Sequence, residues 1–569
     1  MTEKPDLIIR GGTVVDGTGG PMREADVLVQ DGLIAGVGRI AQTGAEEIDA
    51  RGRLVMPGFV DVHTHYDAQS TWAEHLTPSS CNGVTTLLMG NCGVGFAPVR
   101  PEDHDMLIAL MEGVEDIPEV VMKEGLPWNW ESFPDYLDSL EGRTYDVDVA
   151  TQVPHAALRV FVMGERGAER EEATAADRAE MARLAAEGMR AGAFGFSTSR
   201  LLQHRTAAGA PIPSYGAAAA ELLEIADALA DVGRGWIQTV GDFEDAIDTE
   251  FELRREMAAR SGLPLTMTLL QKESRPQEWR DLLGRIERAN AEGLRITAQI
   301  RGRPTSVLLG FELSLNPFSP CPSWAEVKDL DFDARIAALR NPALRARLVS
   351  EPCGDEVRQR RFQQWERLFP FGDPPQYEPD PETSIAAEAR RLGVAPAELA
   401  YDLMLAEDGR GILYRPTTNY ADGDLAVVHE MLGHPHTLIG LGDGGAHVGV
   451  MCDATDMAHT ISYWTRDRTR GPKHRLEEMV RRLTSANAAA IGLADRGRIA
   501  AGLRADINVI DYDALALPSP KIHYDLPAGG KRLLQQARGI AATLVAGETV
   551  WRDGEATGAL PGRLLRSGN

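Results

Sequence analysis

The sequence predicts an α/β protein: a (β/α)8 TIM-like barrel carrying a small β-sandwich domain built from both chain termini. Two observations predict it. Between Gly58 and Leu441, eight apolar strand-like runs alternate with longer helical stretches, the pattern of parallel βα units, and eight such units close a barrel. Outside that region, short β runs separated by turn residues stand at both ends of the chain.

In chain order, residues 1–57 read as one half of the sandwich. Their runs are Asp6–Arg10, Gly12–Asp16, Ala25–Val29 and Leu33–Val37, set apart by turn pairs such as Gly11-Gly12 and Asp31-Gly32. Residues 58–495 read as the barrel. Its strands are expected at Phe59–Val62, Val84–Met89, Val147–Val153, Ala193–Ser197, Gly235–Val240, Pro264–Leu270, Arg295–Ile300 and His436–Leu441. Thr174–Ala191, rich in Ala, Glu and Arg, exemplifies the helices between them. The rhythm breaks over Phe311–Asp380, which carries several prolines with Trp324, Trp365, Phe369 and Phe371. This is expected to be a mostly helical insertion, either a lid over the barrel mouth or a contact in a homo-oligomer. Residues 496–569 return to β runs, Ala505–Ile510 and Ala541–Trp551, and supply the other half of the sandwich.

Composition narrows the function. The net charge of −25 disfavours nucleic acid and anionic membrane surfaces, both of which call for a Lys/Arg surplus. No apolar run approaches the ~18 residues of a membrane span, and the first residues, Met1 to Asp6, lack a basic then apolar leader. The five cysteines are odd in number and scattered, which fits free thiols in a reducing compartment. A cytoplasmic protein acting on a small molecule is expected.

Three motifs carry chemistry. In Gly58-Phe59-Val60-Asp61-Val62-His63-Thr64-His65, alternation along a strand sends His63 and His65 to the same side, where two imidazoles can share a cation such as Zn²⁺. In Gly90-Asn91-Cys92-Gly93, Cys92 ends the next strand and offers a thiolate ligand. In Gly440-Leu441-Gly442-Asp443-Gly444-Gly445, Asp443 follows the last strand, where it can bind a metal and take a proton from water. Read singly, each has a plain alternative: polar residues ending a strand, a small buried thiol, an Asp-Gly turn. Together, at the ends of neighbouring barrel strands, they favour the metal.

These three motifs, with the split terminal domain, resemble the amidohydrolase superfamily. Gly90–Gly93, Val153–Arg159, Gly192–Ser197, Arg496–Ile499 and Ala505-Asp506 resemble its N-acyl-D-amino-acid deacylase (D-aminoacylase) branch, where a cysteine replaces the bridging lysine carboxylate. The resemblance implies a metallohydrolase barrel in which His63, His65, Cys92 and Asp443 are metal ligands and Asp443 is also the catalytic acid–base. It implies hydrolysis of an amide-type C–N bond in an N-acyl amino acid or related compound.

Two departures follow. The branch adds histidines at the ends of the fifth and sixth strands, where this chain reads Thr239 and Leu269. One zinc, or another divalent ion, is therefore expected rather than two. The substrate-holding groups also differ. Lys272, Arg301 and Arg303 stand where a carboxylate could be gripped. His155, after the third strand, could bond a reacting carbonyl, and His447 is four residues past Asp443. Alternatives left open are a cyclic amide, imide or lactone hydrolase, and a degenerate ligand-binding barrel.

Overall fold

The computed structural model describes residues 6–353, 359 and 362–568. The first five residues, part of the expected leaderless start, lie outside the described residues, as do 354–358 and 360–361 of the insertion.

The barrel region holds an eight-stranded parallel sheet. Its strands are β1 (Phe59–Asp61), β2 (Val84–Met89), β3 (Asp148–Pro154), β4 (Gly195–Arg200), β5 (Trp236–Gly241), β6 (Leu265–Thr268), β7 (Ile296–Ile300) and β8 (Thr437–Ile439). All eight overlap the expected runs, seven with both ends within two residues and β4 ending three residues later than expected. They pair in sequence order, as short right-handed crossovers dictate. Nearly every strand residue is buried, because helices cover the outer face and side chains fill the inner one. The sheet curls so that its edge strands meet just beyond their ends. A parallel bridge joins Thr64 to Gly444, the Asp443 amide donates to the His63 carbonyl at 3.1 Å, and the His65 amide donates to the Gly444 carbonyl at 2.7 Å. Below this seam, the Asn487 side-chain amide donates to the carbonyls of Val60 and Ile439 at 2.8 and 2.7 Å.

Both chain ends contribute to one nine-stranded mixed sheet. Leu54–Pro57 runs antiparallel to Ile507–Ile510 and so joins the N-terminal strands to the C-terminal ones. Gly11-Gly12 is not a turn between two strands. Leu7–Val14 is one strand whose register shifts there against Arg23–Gln30, a bulge rather than a break. The late run is a hairpin, Ile540–Val545 and Glu548–Arg552, turning at Ala546-Gly547. Arg496 anchors this sheet to the barrel: its guanidinium lies 2.6 Å from Asp148 of β3 and donates to the Thr86 hydroxyl of β2 at 2.8 Å.

The insertion has its own apolar core. Phe311, Phe318, Trp324, Leu339 and Leu368 pack with Ile385, Tyr401, Met404 and Leu413, so its packing reaches past the expected end at residue 380. A three-stranded sheet of Ser306–Leu309, Phe369–Pro370 and Leu413–Pro416 supports it. Trp324, Phe369 and Phe371 are buried; they serve the interior rather than an outer surface. The start of the insertion grips the loop after β8 through hydrogen bonds from Leu308 N to Val450 O (2.8 Å) and Ser314 N to Gly449 O (3.2 Å). No helix among the described residues is long and apolar enough to cross a membrane.

Candidate metal centre

His63 and His65 leave the end of β1, Cys92 the end of β2 and Asp443 the end of β8. Strand ends at the carboxyl side of a parallel sheet converge, which gathers residues distant in sequence. The Cys92 turn needs its glycines. Cys92 and Gly93 both have positive φ, and a Cβ on Gly93 would lie 2.9 Å from the Thr198 Cα. Asn91 pins the turn by donating to the Leu88 carbonyl at 2.9 Å, and the Cys92 amide donates to the Gln238 side chain at 2.9 Å. After β8 the chain passes so close to the segment leaving β1 that a Cβ on Gly445 would lie 2.7 Å from the His65 carbonyl oxygen. Asp443 and His447 in that loop have positive φ, a strain of about 1–3 kcal/mol each that surrounding contacts must hold.

One ligand atom from each of His63, His65 and Cys92 lies within 4.8 Å of the others. Cys92 Sγ is 3.4 Å from His63 Nε2. Asp443 Oδ1 is 3.5 Å from His63 Nε2 and 3.8 Å from His65 Nε2. A tetrahedron with bonds of ~2.0–2.3 Å, the zinc–nitrogen and zinc–sulfur lengths, has edges of roughly 3.3–3.8 Å. The His63–Cys92 and the two histidine–Asp443 separations fall among such edges, with Asp443 standing beside the close group of His63, His65 and Cys92, and two imidazoles, a thiol and a carboxylate are a donor set suited to zinc.

Burial sets the protonation of the cluster. It pushes His63 down to about 4 and His65 well below the usual imidazole range, so both are neutral and have a lone pair to give. It raises the Cys92 thiol, helped by the nearby charges of Glu115, Asp443 and Asp67. It also raises Asp443, against the pull of Arg301. A divalent cation reverses this order by favouring thiolate and carboxylate. Each histidine has a polar neighbour at Nδ1: Gln299 hydrogen-bonds His63 at 2.6 Å, and the Glu115 carboxylate stands 3.3 Å from His65 Nδ1, close enough for an ion pair but outside hydrogen-bond geometry.

The residues expected to hold substrate fare differently. The two nitrogens of His155 are committed, Nδ1 to Thr198 at 2.8 Å and Nε2 to Glu221 at 2.7 Å, so it has none for a reacting carbonyl. Arg303 is fully buried, donating to the Cys452 carbonyl, Asp453 and Thr455. Arg301 is 1% exposed. It pairs with Asp453 at 2.8 Å, stands 3.7 Å from Asp443 Oδ2 and donates to the Leu441 carbonyl at 2.6 Å. Both guanidiniums brace the loop carrying Asp443 rather than wait for a ligand, because a buried Asp pairs them internally. Lys272 is half-buried among Asp242, Glu244 and Glu278 at 3.4–3.9 Å, and these carboxylates already neutralise it. His447 keeps partial exposure beside Glu115, at 3.7 Å.

The fifth- and sixth-strand register shifts by one residue. Gln238 faces the interior, where it meets Cys92, whereas Thr239 accepts from Arg254 of the outer helix Ile247–Ser261. The pairings Gln238–Thr266 and Thr239–Met267 carry this alternation into β6. Thr268 therefore faces in and Leu269 faces out. The inward positions are Val240 and Thr268, neither of which is an imidazole, and His63, His65 and Cys92 are the one such ligand group among the described residues.

Residues not foreseen from sequence also meet here. Glu115 ends the helix His104–Glu115. Buried Asp67 accepts from the Gly90 amide at 3.2 Å. His204, following β4, bonds Ser199 at 2.9 Å and is pushed down to about 3 by burial, with His447 and His63 nearby. None stands in a motif; only the folded chain brings them to the cluster.

Comparison with known proteins places this geometry. The model of the Amidohydrolase family matches residues 46–551. The chain belongs to the amidohydrolase family. This amidohydrolase is 28% identical to an N-acyl-D-aspartate deacylase of Alcaligenes xylosoxydans xylosoxydans, over 99% of this chain and 95% of that one. It is 27% identical to an N-acyl-D-glutamate deacylase of the same organism, over 100% and 97%. Among solved structures it is similar to a D-aminoacylase described for its binuclear metal centre, with one-metal activation and second-metal attenuation. The TM-score is 0.65 at 25% identity, covering 99% of this chain and 100% of that one.

Proposed function

We propose that this amidohydrolase cleaves the amide bond of an N-acyl amino acid, most closely of the D series, with one zinc held by His63, His65, Cys92 and Asp443. The observation that carries the reading is the gathering of His63, His65 and Cys92 at the ends of β1 and β2, with an Asp443 oxygen from the loop after β8 at 3.5 and 3.8 Å from the two histidines. Relatives of nearly equal length named as N-acyl-D-amino-acid deacylases support the substrate class, ahead of cyclic amides or lactones.

When bound, zinc acidifies water and polarises a carbonyl oxygen. The chain does the rest. Asp443 takes the proton of the attacking water and returns it to the leaving nitrogen. Arg301 steadies the Asp443 carboxylate from behind.

For architecture we propose a closed (β/α)8 barrel over 58–495, with the insertion at about 311–380. Residues 1–57 and 496–569 form the terminal β-sandwich domain. Five cysteines, all free, support a reducing, cytoplasmic setting. A small-molecule substrate is the partner the chemistry requires, and a homo-oligomer through the insertion is compatible with it.

The test is Asp443→Asn assayed on a panel of N-acyl-D- and N-acyl-L-amino acids. The wild type should release free amino acid and the variant should lose at least ~100-fold in kcat while keeping its metal. Retained turnover in the variant overturns the role of Asp443. A metal-free, inactive wild type favours the degenerate binder, for which the absent fifth- and sixth-strand histidines speak.

A further inference from the structure

We propose that Glu115 is a positioning residue, holding His65 with its second ring nitrogen turned to the metal cluster and tying that histidine to the loop of Asp443. The inference rests on the zinc reading above.

Glu115 is the last residue of the helix His104–Glu115, and its side chain is 2% exposed. One carboxylate oxygen lies 3.3 Å from His65 Nδ1 and the other 3.7 Å from His447 Nε2. On the far side of the His65 ring, Nε2 faces Asp443 Oδ1 at 3.8 Å. An imidazole held through one nitrogen by a carboxylate presents the other to a metal in a fixed tautomer and with greater basicity.

The helix end also grips the loop after β8 by its backbone. The His447 amide donates to the Glu115 carbonyl, and the Gly449 amide donates to Asp116 Oδ2 at 3.1 Å. The Glu115 carboxylate thus sits between a residue of the β1 metal motif and a residue of the Asp443 loop. No Lys or Arg of the described residues forms an ion pair with it. A buried acid whose ion pairs among the described residues are with two imidazoles is a poor choice for stability alone, where an apolar residue of similar shape serves better. His63 has the neutral Gln299 in the corresponding place, hydrogen-bonded to its Nδ1.

The experiment measures zinc dissociation constants by chelator competition, and the absorption spectrum of the cobalt-substituted protein, for wild type, Glu115→Gln and Glu115→Ala. Glu115→Ala should bind zinc about 10–100-fold more weakly, the usual effect of losing such a partner. Glu115→Gln, which keeps an acceptor but not the charge, should fall between, with an altered cobalt spectrum and an unchanged melting temperature of the metal-free protein. Wild-type zinc affinity and an unaltered cobalt spectrum in Glu115→Gln overturn the inference, and this variant decides alone if Glu115→Ala does not fold. A wild type that takes up no zinc overturns the underlying reading of the site as well.

Discussion

His63 Nδ1 lies 2.6 Å from the side-chain oxygen of Gln299, across the barrel interior from β1 to β7. The bond makes Nδ1 the protonated nitrogen and leaves the Nε2 lone pair facing Cys92 and Asp443. Gln299→Leu should weaken zinc binding by roughly 10–100-fold in a chelator-competition titration without loss of secondary structure. Unchanged affinity would show that packing alone orients His63.

Cys92 should make zinc affinity depend on pH. Burial holds its thiol protonated at neutral pH, so binding must expel that proton. Raising the pH favours the thiolate, and zinc affinity should climb by up to ~tenfold per unit between about pH 7 and 9. His63, held near 4, adds nothing in that window. Cys92→Ser should bind more weakly and lose about one proton of this dependence, read from titrations across the pH series. An identical slope in both proteins would remove Cys92 from the ligand set.

Arg301 should act on kcat rather than KM. It stands 3.7 Å from Asp443 Oδ2 and is anchored by Asp453. Arg301→Lys keeps the charge but loses the two-pronged fork. Steady-state kinetics should show kcat down about tenfold with KM within ~twofold. The opposite split, a raised KM at constant kcat, would return Arg301 to the substrate grip expected from sequence.

Glu221 should be a stability residue. Burial opposes its ionisation, yet its bonds to His155 and Arg159 prevail and hold it down to about 2. Its folded-state pKa is below the unfolded value, so its contribution is present above about pH 4.5 and is lost as the pH falls towards 2. Glu221→Gln leaves the Arg159 charge buried without its partner and should destabilise the protein by ~3–5 kcal/mol at neutral pH. The gap in melting temperature from wild type should narrow on acidification. A gap that does not change with pH would contradict this sign.

The eight parallel strands and the clustering of His63, His65 and Cys92 were legible because each is local: an apolar run between helices, or a short motif at a strand end. Register was not. The inner and outer faces of β5 and β6 are both buried, so hydropathy does not distinguish Thr239 from Val240. Arg301 and Arg303 read as free cations, since nothing in sequence announces that Asp453 and Asp456, some 150 residues on, are folded against them. Glu115 shows the same limit. Its meaning comes from His65 and His447, which lie 50 residues before it and 332 after it in sequence and meet only when the curled sheet brings its edge strands together. The aromatic residues of the insertion failed as a surface signal because the insertion is large enough to need a core of its own.

The most direct measurement is zinc content per chain taken together with amide hydrolysis in the same preparation, for wild type and for the His63→Ala, His65→Ala double variant. The expected result is about one zinc per chain and release of amino acid from an N-acyl substrate in the wild type, with both lost in the folded variant. A wild type that hydrolyses the substrate without zinc or another divalent metal, or a variant that keeps both metal and turnover, would contradict the site described here.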